Sequence, residues 1–561
     1  MNRTFKRTTA GCLAAVMAFS AFSCGKAEKK TDKKTDESKA DEHVVNVVDE
    51  GEVVESLGGL DLSPVTMINP DIPADFSFES EAEAGTLVGD AAVLTGKFAG
   101  EFTGDGFVTF AQKDDEVTFE VDIPGEGSYD LKMVMGGDSE TMTNLITVDG
   151  NPVVSFKNAQ PQFTETVAEK IMIPAGKHTI GIKAQDGGIY IDSVKLVPSE
   201  PLDLSQYEVT KELSNPNASP KAKRLYNFLR DCYGKYTISG QYIDNLETGK
   251  EDREITEITK RTGETPVILG MDVGGLGISS QENGGGGATM LPYHAMDWYN
   301  NENGIVTLCW HWLAPSDYIG VNGQPWWRGF YTDSTNFSLS KALSGEDQKG
   351  HDALIAELDN MAEQLTILAE NDIPILWRPL HEAGGDYRYP QNQWFWWGAS
   401  GKDAYIELWK LMYDKFTNEY HLNNLIWVWN AQIPEWYPGD EYVDIIGYDC
   451  YPDPHDSSPQ KEKYDLMKEC SPTHSKIIAE TENGAMFDPD AAFSDGSRWA
   501  WFSTWNGEFT LKDLQLSDEY TTYEMWDKIY ASDRVLTLSE MPDLKSYPMD
   551  TEAFLAANGG E

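Results

Sequence analysis

A chain of 561 residues is too long for one ordinary domain, and its 40% hydrophobic content is enough for two or three separate cores. A formal net charge of -48 excludes nucleic acid and anionic membrane surfaces as partners unless a strong basic patch opposes it, because both repel such a field. A neutral polymer is not excluded.

At the amino end, Lys6 and Arg7 give a charged start, residues 12–22 an apolar run and Ala21-Phe22-Ser23-Cys24 a small-residue cleavage box, the pattern of an export signal. With Cys after the cut, residues 1–24 resemble a bacterial lipoprotein signal. That resemblance implies a lipid anchor on Cys24 and an exported protein, extracellular or at the cell surface. The apolar run is too short for a membrane span, and nothing later reaches about 18 uninterrupted apolar residues. Residues 25–75 are mostly Lys, Asp, Glu, Thr and Ser with almost no aromatics, which predicts a disordered tether. Beyond Cys24 the cysteines are Cys232, Cys309, Cys450 and Cys470, with no CxxC spacing, which argues against a metal cluster or redox motif. Cys450 and Cys470 either pair or remain free buried thiols.

Residues 76–198 carry short alternating runs, among them Val117-Thr118-Phe119-Glu120-Val121, Tyr129-Asp130-Leu131-Lys132-Met133-Val134 and Ile189-Tyr190-Ile191-Asp192-Ser193-Val194, separated by Gly, Pro and Asp turns. Period-two alternation at this spacing predicts an antiparallel β-sandwich. Glu81-Ala82-Glu83, Gly106-Phe107-Val108 and Ile191-Asp192-Ser193-Val194-Lys195-Leu196 resemble a carbohydrate-binding module of the family 35 or family 6 type. The resemblance implies a structural Ca²⁺ held by Glu81, Glu83 and Asp192, hard oxygen donors suited to that ion.

Residues 199–220, rich in Pro, Ser and Asn, read as a linker, and residues 548–561 as a C-terminal tail. Between them, over 221–547, amphipathic helices such as 353–370 and 403–420 alternate with short apolar strands beginning near Thr237, Pro266, Ile305, Pro374, Leu425, Val443, Lys476 and Trp499. Eight such units predict a (β/α)8 TIM barrel, so the fold class is α/β, with the barrel preceded by a β-sandwich. Such barrels do their chemistry at the C-terminal strand ends. Here those ends carry Trp310-His311, His381-Glu382, Asn430, Asp449 and Tyr451, Glu482 and Trp505.

A carboxylate at the end of an apolar strand needs a partner to offset lost hydration, and aromatics beside it suit the apolar faces of sugar rings. Glycoside hydrolysis with retention uses two carboxyl groups about 5 to 5.5 Å apart, one acid and one nucleophile. Glu382 and Glu482 end the fourth and seventh strands, separated by 482 − 382 = 100 residues, room for three βα units.

The stretches Gly304-Ile305-Val306-Thr307-Leu308-Cys309-Trp310-His311, Trp377-Arg378-Pro379-Leu380-His381-Glu382, Trp394-Phe395-Trp396-Trp397-Gly398, Val443-Asp444-Ile445-Ile446-Gly447-Tyr448-Asp449 and Ala479-Glu480-Thr481-Glu482-Asn483 resemble glycoside hydrolase family 26, the family of β-mannanases. The resemblance implies Glu382 as general acid/base and Glu482 as nucleophile. Glu480 is the rival nucleophile, since strand alternation would give it the same direction as Glu482. It further implies that His311, His381, Trp310 and Asp449 line the site, that Arg378 and Tyr451 keep the nucleophile ionised, and that Trp394 and Trp505 stack on sugars. No cofactor is implied for catalysis, and the expected partner is a β-mannan-type polysaccharide bound by a monomer. One departure is the lengthened loop 383–393, which bears on substrate preference and on endo versus exo action. The leading expectation is an endo-β-1,4-mannanase. The same chemistry on xylan or mixed-linkage β-glucan, and a non-catalytic polysaccharide-binding lipoprotein, are the alternatives.

Overall fold

The structure is a computed structural model that describes residues 55–65, 72–73, 75–97, 100–138, 142–157, 160–244, 252–286, 288–388 and 392–558. The export signal with Cys24, and most of the expected tether, lie outside the described residues.

The amino-terminal domain is two antiparallel sheets. One runs Ala92–Leu94, Phe107–Phe110, Ile189–Pro198, Gly127–Gly137, Thr164–Ile173, with Phe78–Glu81 also on Ile189–Pro198; the other runs Thr86–Val88, Glu116–Ile123, Gly176–Lys183, Thr143–Val148, Asn151–Lys157. Alternation explains the layering. Along Glu116–Ile123, Val117, Phe119, Val121 and Ile123 are buried while Glu120 and Asp122 are exposed, so one face of the strand joins the core between the sheets. The alternating runs expected at 117–121, 129–134 and 189–194 all fall inside these longer strands.

The second domain is a barrel-type sheet of seven parallel strands in chain order: β1 (Gly240–Tyr242), β2 (Ile268–Asp272), β3 (Ile305–Cys309), β4 (Ile375–Arg378), β5 (Leu425–Trp429), β6 (Ile445–Cys450) and β7 (Ile477–Asn483). The eighth expected strand, near Trp499, is a run of isolated parallel bridges in place of a full ladder. Its backbone lies between β7 and β1. Asn483 N donates to Ser503 O at 3.1 Å on one side, and Tyr242 N to Thr504 O at 2.8 Å on the other. The strands are almost wholly buried because both faces are covered, by the barrel interior and by helices, and their polar residues gather toward the C-terminal ends, as Arg378, Asp449 and Glu482 do.

The expected helix 353–370 is Gln348–Glu370, started five residues earlier by Asp347, whose carboxylate accepts from Gly350 N at 3.0 Å. Leu354, Leu358, Met361, Leu365 and Leu368 form its buried face, each contributing about 1.5 to 3 kcal/mol by burial. The helix expected at 403–420 is Lys402–Asp414, prolonged by a π turn at Lys415–Glu419.

Three segments expected to be loose are docked. Within the tether, Leu57 and Leu60 pack on the barrel core, Ser56 N donates to Ser546 O at 2.9 Å and Glu55 pairs with Arg224 at 2.8 Å. In the linker, Leu204–Tyr207 forms a 3-10 turn and the buried Tyr207 donates to Gly496 O at 2.8 Å. In the tail, Thr551–Asn558 is helical, and Asn227 on the first helix (Pro220–Cys232) donates to Pro548 O at 2.9 Å. Polar composition hid these contacts because they are made by a few leucines and a tyrosine and by main-chain groups.

The sandwich and barrel belong to one compact unit, Glu55–Glu561. At their junction Ser128 and Ser494 share a buried hydrogen bond of 2.6 Å. Lys113 pairs with Asp453 at 2.9 Å, and Lys157 with Glu462 at 2.8 Å. Cys232, Cys309, Cys450 and Cys470 are free and buried, so Cys450 and Cys470 do not pair. Among the described residues no helix is long and apolar enough to cross a membrane.

Candidate active site

Arg378, the last residue of β4, is fully buried at the barrel mouth. A buried guanidinium must be paired and hydrogen-bonded. Here Nη1 donates to Asp449 at 2.7 Å, Nη2 to Glu482 at 2.6 Å and Nε to Tyr242 at 3.2 Å, so β1, β4, β6 and β7 converge on one cation. Gly270 on β2 admits the tyrosine, since a Cβ there would stand 2.6 Å from the Tyr242 ring.

Glu482 faces this cluster because of a bulge. Tyr448 pairs with Glu480 but Asp449 pairs with Glu482, so Thr481 is an extra residue on β7. Thr481 turns inward, donating to Asp449 at 2.8 Å and accepting from Asn430 at 2.9 Å. Gly447 makes room for it, as a Cβ there would lie 2.4 Å from Thr481 Cγ2. Strand alternation resumes after the bulge, so Glu480 does not share the direction of Glu482 as simple alternation would require. Its carboxyl interacts with Cys450 and Lys463, and burial pushes it up to about 8. Tyr451 donates its hydroxyl to the second oxygen of Glu482.

Glu382 stands four residues past β4 on a strained turn: Leu380 and Glu382 both have φ of 52°, a left-handed conformation costing non-glycine residues about 1 to 3 kcal/mol each. The turn is held by Glu382 N donating to Asn430 O at 2.8 Å and Gly385 N to Glu382 O at 3.0 Å. The carboxyl accepts a hydrogen bond from Trp394 Nε1 at 2.8 Å.

Glu382, Asp449 and Glu482 each present an oxygen within 4.8 Å of the others. Two buried carboxyl groups and the half-buried Glu382 lie beside one guanidinium, and it touches only Asp449 and Glu482. Burial, then the charges of Asp449 and Glu482, hold Glu382 well above the usual carboxylate range. Burial and Asp449 push Glu482 up to about 7, opposed by Arg378, Tyr451 and His311. Glu382 is therefore the member that keeps its proton, and Glu482 the one poised to ionise.

Beside them His311, two residues beyond β3, bonds through Nδ1 to Asp272 at 2.8 Å, and its Nε2 lies 3.2 Å from Nε2 of His381. Burial alone would lower His311, but Asp272 outweighs it and raises the imidazole. Burial, Arg378 and His311 push His381 well below its ordinary value, so it is neutral. Trp505, half-buried, packs on Tyr242 at 4.7 Å and meets His311 edge-on at 5.6 Å.

The expected residues Glu382, Glu482, Arg378, His311, His381, Asp449, Tyr451, Trp394 and Trp505 thus assemble at one mouth. Trp310 does not. It is buried in a stack on Trp312 with ring centroids 4.1 Å apart, because neighbours at a strand end point to opposite faces and His311 takes the inner one. Trp394 is tied by its indole N–H to Glu382 as well as being half-buried at the rim. Tyr242, Asp272 and Thr481 were missed as site residues, although Tyr242 and Asp272 end β1 and β2.

Among the described residues two groups bring possible metal ligands within 4.8 Å: the carboxyl trio above, whose centre is served by Arg378, and Asp272, Cys309 and His311, where the Asp and His already bond each other. Glu81, Glu83 and Asp192 do not converge as closely. Thr103 Oγ1 donates to Glu81 at 2.7 Å and to Asp192 at 3.1 Å, while Glu83 accepts from Asp105 N at 2.6 Å. Glu83 Oε2 is buried with no hydrogen-bond partner, an orphaned anionic oxygen that fits a hard cation.

Comparison with known proteins agrees with this geometry. Residues 214–523 match the model of glycosyl hydrolase family 26, and residues 78–199 match carbohydrate binding module family 35. A mannan endo-1,4-beta-mannosidase of Thermothelomyces thermophilus is 34% identical over 82% of this chain and 92% of its own length. Mannan endo-1,4-beta-mannosidase B of a Piromyces species is 31% identical over 85% of this chain and 79% of its own. Among solved structures, the Podospora anserina GH26-CBM35 beta-(1,4)-mannanase superposes with a TM-score of 0.62 at 33% identity, covering 84% of this chain and all of that one. The paired carboxyl groups sit on a barrel-type sheet matched by the family model and shared with relatives along most of the chain. The protein belongs to glycosyl hydrolase family 26 and carries an amino-terminal family 35 carbohydrate-binding module.

Proposed function

We propose that the protein is an endo-β-1,4-mannanase that cleaves mannan-type polysaccharides with retention of anomeric configuration. The observation that carries the mechanism is the approach of Glu382 and Glu482, with oxygens within 4.8 Å. That spacing suits a direct nucleophile, whereas inverting enzymes separate their carboxyl groups by about 6.5 to 9.5 Å to admit a water. Glu482 attacks the anomeric carbon as Glu382 passes its proton to the departing glycosidic oxygen, breaking the C–O bond and leaving a glycosyl-enzyme ester. Glu382, now a carboxylate, takes a proton from water as that water attacks the anomeric carbon, and Glu482 leaves ionised. Arg378 and Tyr451 hold Glu482 through both steps, and Trp505 and Trp394 offer aromatic surface to sugar rings.

The substrate assignment rests on the mannanase names of the relatives above. In the same reading the family 35 module binds wall polysaccharide and holds Ca²⁺ through Glu81, Glu83 and Asp192, supported by the orphaned Glu83 oxygen. The signal-like residues 1–24 support export and anchoring through Cys24.

Reducing-sugar release from mannan, glucomannan, xylan and mixed-linkage β-glucan tests the substrate, with Glu482→Ala as control. Mannan or glucomannan should be cleaved first; release from xylan alone removes the mannanase reading. Proton NMR of the newborn reducing end should show the β-anomer first, and an inverted product refutes the roles assigned to the two glutamates.

A further inference from the structure

We propose that the sandwich positions the catalytic loops of the barrel, with Lys157 and Lys113 as positioning residues for cleavage. The inference rests on the reading of Glu382 as the acid/base. Loop 383–388 follows that residue and passes the end of β5, with Gly384 N donating to Ala431 O at 3.0 Å. At its far end Tyr387 is half-buried against the barrel core and donates to Glu462 Oε1 at 2.6 Å. Glu462, on the helix Lys461–Lys468, takes its cation from the other domain: Lys157 Nζ lies 2.8 Å from the same oxygen. Lys157 ends the edge strand Asn151–Lys157 of the sandwich.

A second contact acts on the neighbouring loop. Lys113 of the sandwich pairs with Asp453 at 2.9 Å, two residues beyond Tyr451, the hydroxyl donor to Glu482. The two lysines thus reach the loops that leave the acid/base and support the nucleophile, and each contact ends on an acidic side chain of the barrel. Both lysines are more than half exposed, so each ion pair is individually weak. Their leverage comes from what fixes the sandwich. Ser128 and Ser494 bond across the buried junction, and Ser494 also donates to Lys170 O. A domain held this way is a fixed frame, and two lysines projecting from it can hold loops in register.

Because Glu382 protonates the leaving oxygen, loop 383–388 borders the sugars on the leaving-group side. The sandwich therefore influences which bond of a bound chain lies over the carboxyl pair, in addition to holding polysaccharide. This assigns a specificity role to residues more than 200 positions from either catalytic glutamate, since 382 − 157 = 225.

The test uses the full chain with Lys157→Ala, Lys113→Ala, Tyr387→Phe, the Lys157→Ala/Tyr387→Phe pair and Lys157→Arg. Two readouts are taken: the positions cleaved in mannohexaose in ¹⁸O-water, by mass spectrometry, and hydrogen exchange of the peptide spanning 383–388. Lys157→Ala should shift the ratio of bonds cleaved and raise KM by about threefold while leaving kcat within about twofold. Exchange of 383–388 should quicken by a similar factor, Lys157→Arg should behave as wild type, and the pair should fall short of the product of its single effects. An unchanged cleavage ratio, unchanged exchange in Lys157→Ala, or independent effects in the pair overturns the proposal. If the unaltered protein cleaves no mannan, the substrate reading fails by itself, and hydrogen exchange still decides the coupling.

Discussion

Arg378 donates to Glu482 across 2.6 Å, and no corresponding bond runs from Arg378 to Glu382. One cation thereby distinguishes two carboxyl groups that lie within reach of each other. Electrostatic stabilisation goes to Glu482, and burial holds Glu382 well above the usual carboxylate range.

Truncation should separate the two glutamates. Glu382→Ala should lower kcat on mannan by about 10² to 10⁴, and by much less on an activated aryl glycoside whose leaving group needs no proton. Glu482→Ala should abolish turnover of both. Equal losses of Glu382→Ala on the two substrates would contradict the acid role.

Replacing the guanidinium should damage both stability and ionisation. Arg378→Met leaves Asp449 and Glu482 facing each other unpaired, at a cost of about 3 to 5 kcal/mol in unfolding free energy. It also removes an influence that lowers Glu482, so the acid limb of kcat/KM should move to higher pH. Calorimetry and a pH–rate profile of the purified variant check the two effects.

The unaltered enzyme should show a bell-shaped kcat/KM. Activity rises as Glu482 ionises at about 7 and falls where Glu382 gives up its strongly held proton. An acid limb at the ordinary carboxylate value would mean that burial is not governing the pair.

Glu480 supplies a test of the bulge and of pH-dependent stability together. Its folded pKa of about 8 lies above the ordinary 4.5, so the folded state binds its proton more tightly than the unfolded chain does. The stability it contributes is present below about 4.5 and is lost as pH rises through about 8. Glu480→Gln should flatten the decline of Tm over that window and leave kcat within about twofold, whereas Glu482→Gln should be inactive. Loss of activity in Glu480→Gln would restore it as the nucleophile.

Gly447→Ala probes the same bulge from the facing strand. The added methyl meets Thr481 at 2.4 Å and should displace it, costing about 1 to 3 kcal/mol and lowering kcat through Asp449 and Asn430. A variant with wild-type Tm and kcat would show that the strands part without consequence.

Much of this was legible in the sequence, for identifiable reasons. Strand starts such as Ile305 and Leu425 fall where expected, because apolar runs between amphipathic helices leave few other choices. Glu382 and Glu482 were visible because ionisable groups at the ends of apolar strands have little structural use. The bulge at Thr481 is not legible, since alternation carries no mark of an inserted residue, and only the pairing of Tyr448 with Glu480 and of Asp449 with Glu482 separates the two glutamates. Trp310 illustrates the same rule in reverse: once His311 faces the mouth, its neighbour must face away. Tyr242 and Asp272 were overlooked because the later strand ends are richer in unusual residues, and nothing in the order of the chain says that β1 and β2 deliver their last side chains to the same point.

The docking of residues 55–65 has a mechanical consequence. Glu55 grips Arg224 of the first barrel helix, Ser56 bonds to Ser546, Tyr236 donates to Asp61 O, and Arg498 donates to Val65 O at 2.8 Å. All four partners lie in the barrel domain. Tension applied to the chain ahead of residue 55 would enter the molecule through that domain before it reaches the sandwich. An enzyme pulled from its amino end while its module grips a polymer would thus take up the load first in the hydrolase and pass it to the module across the junction, where Lys113 and Lys157 meet the barrel.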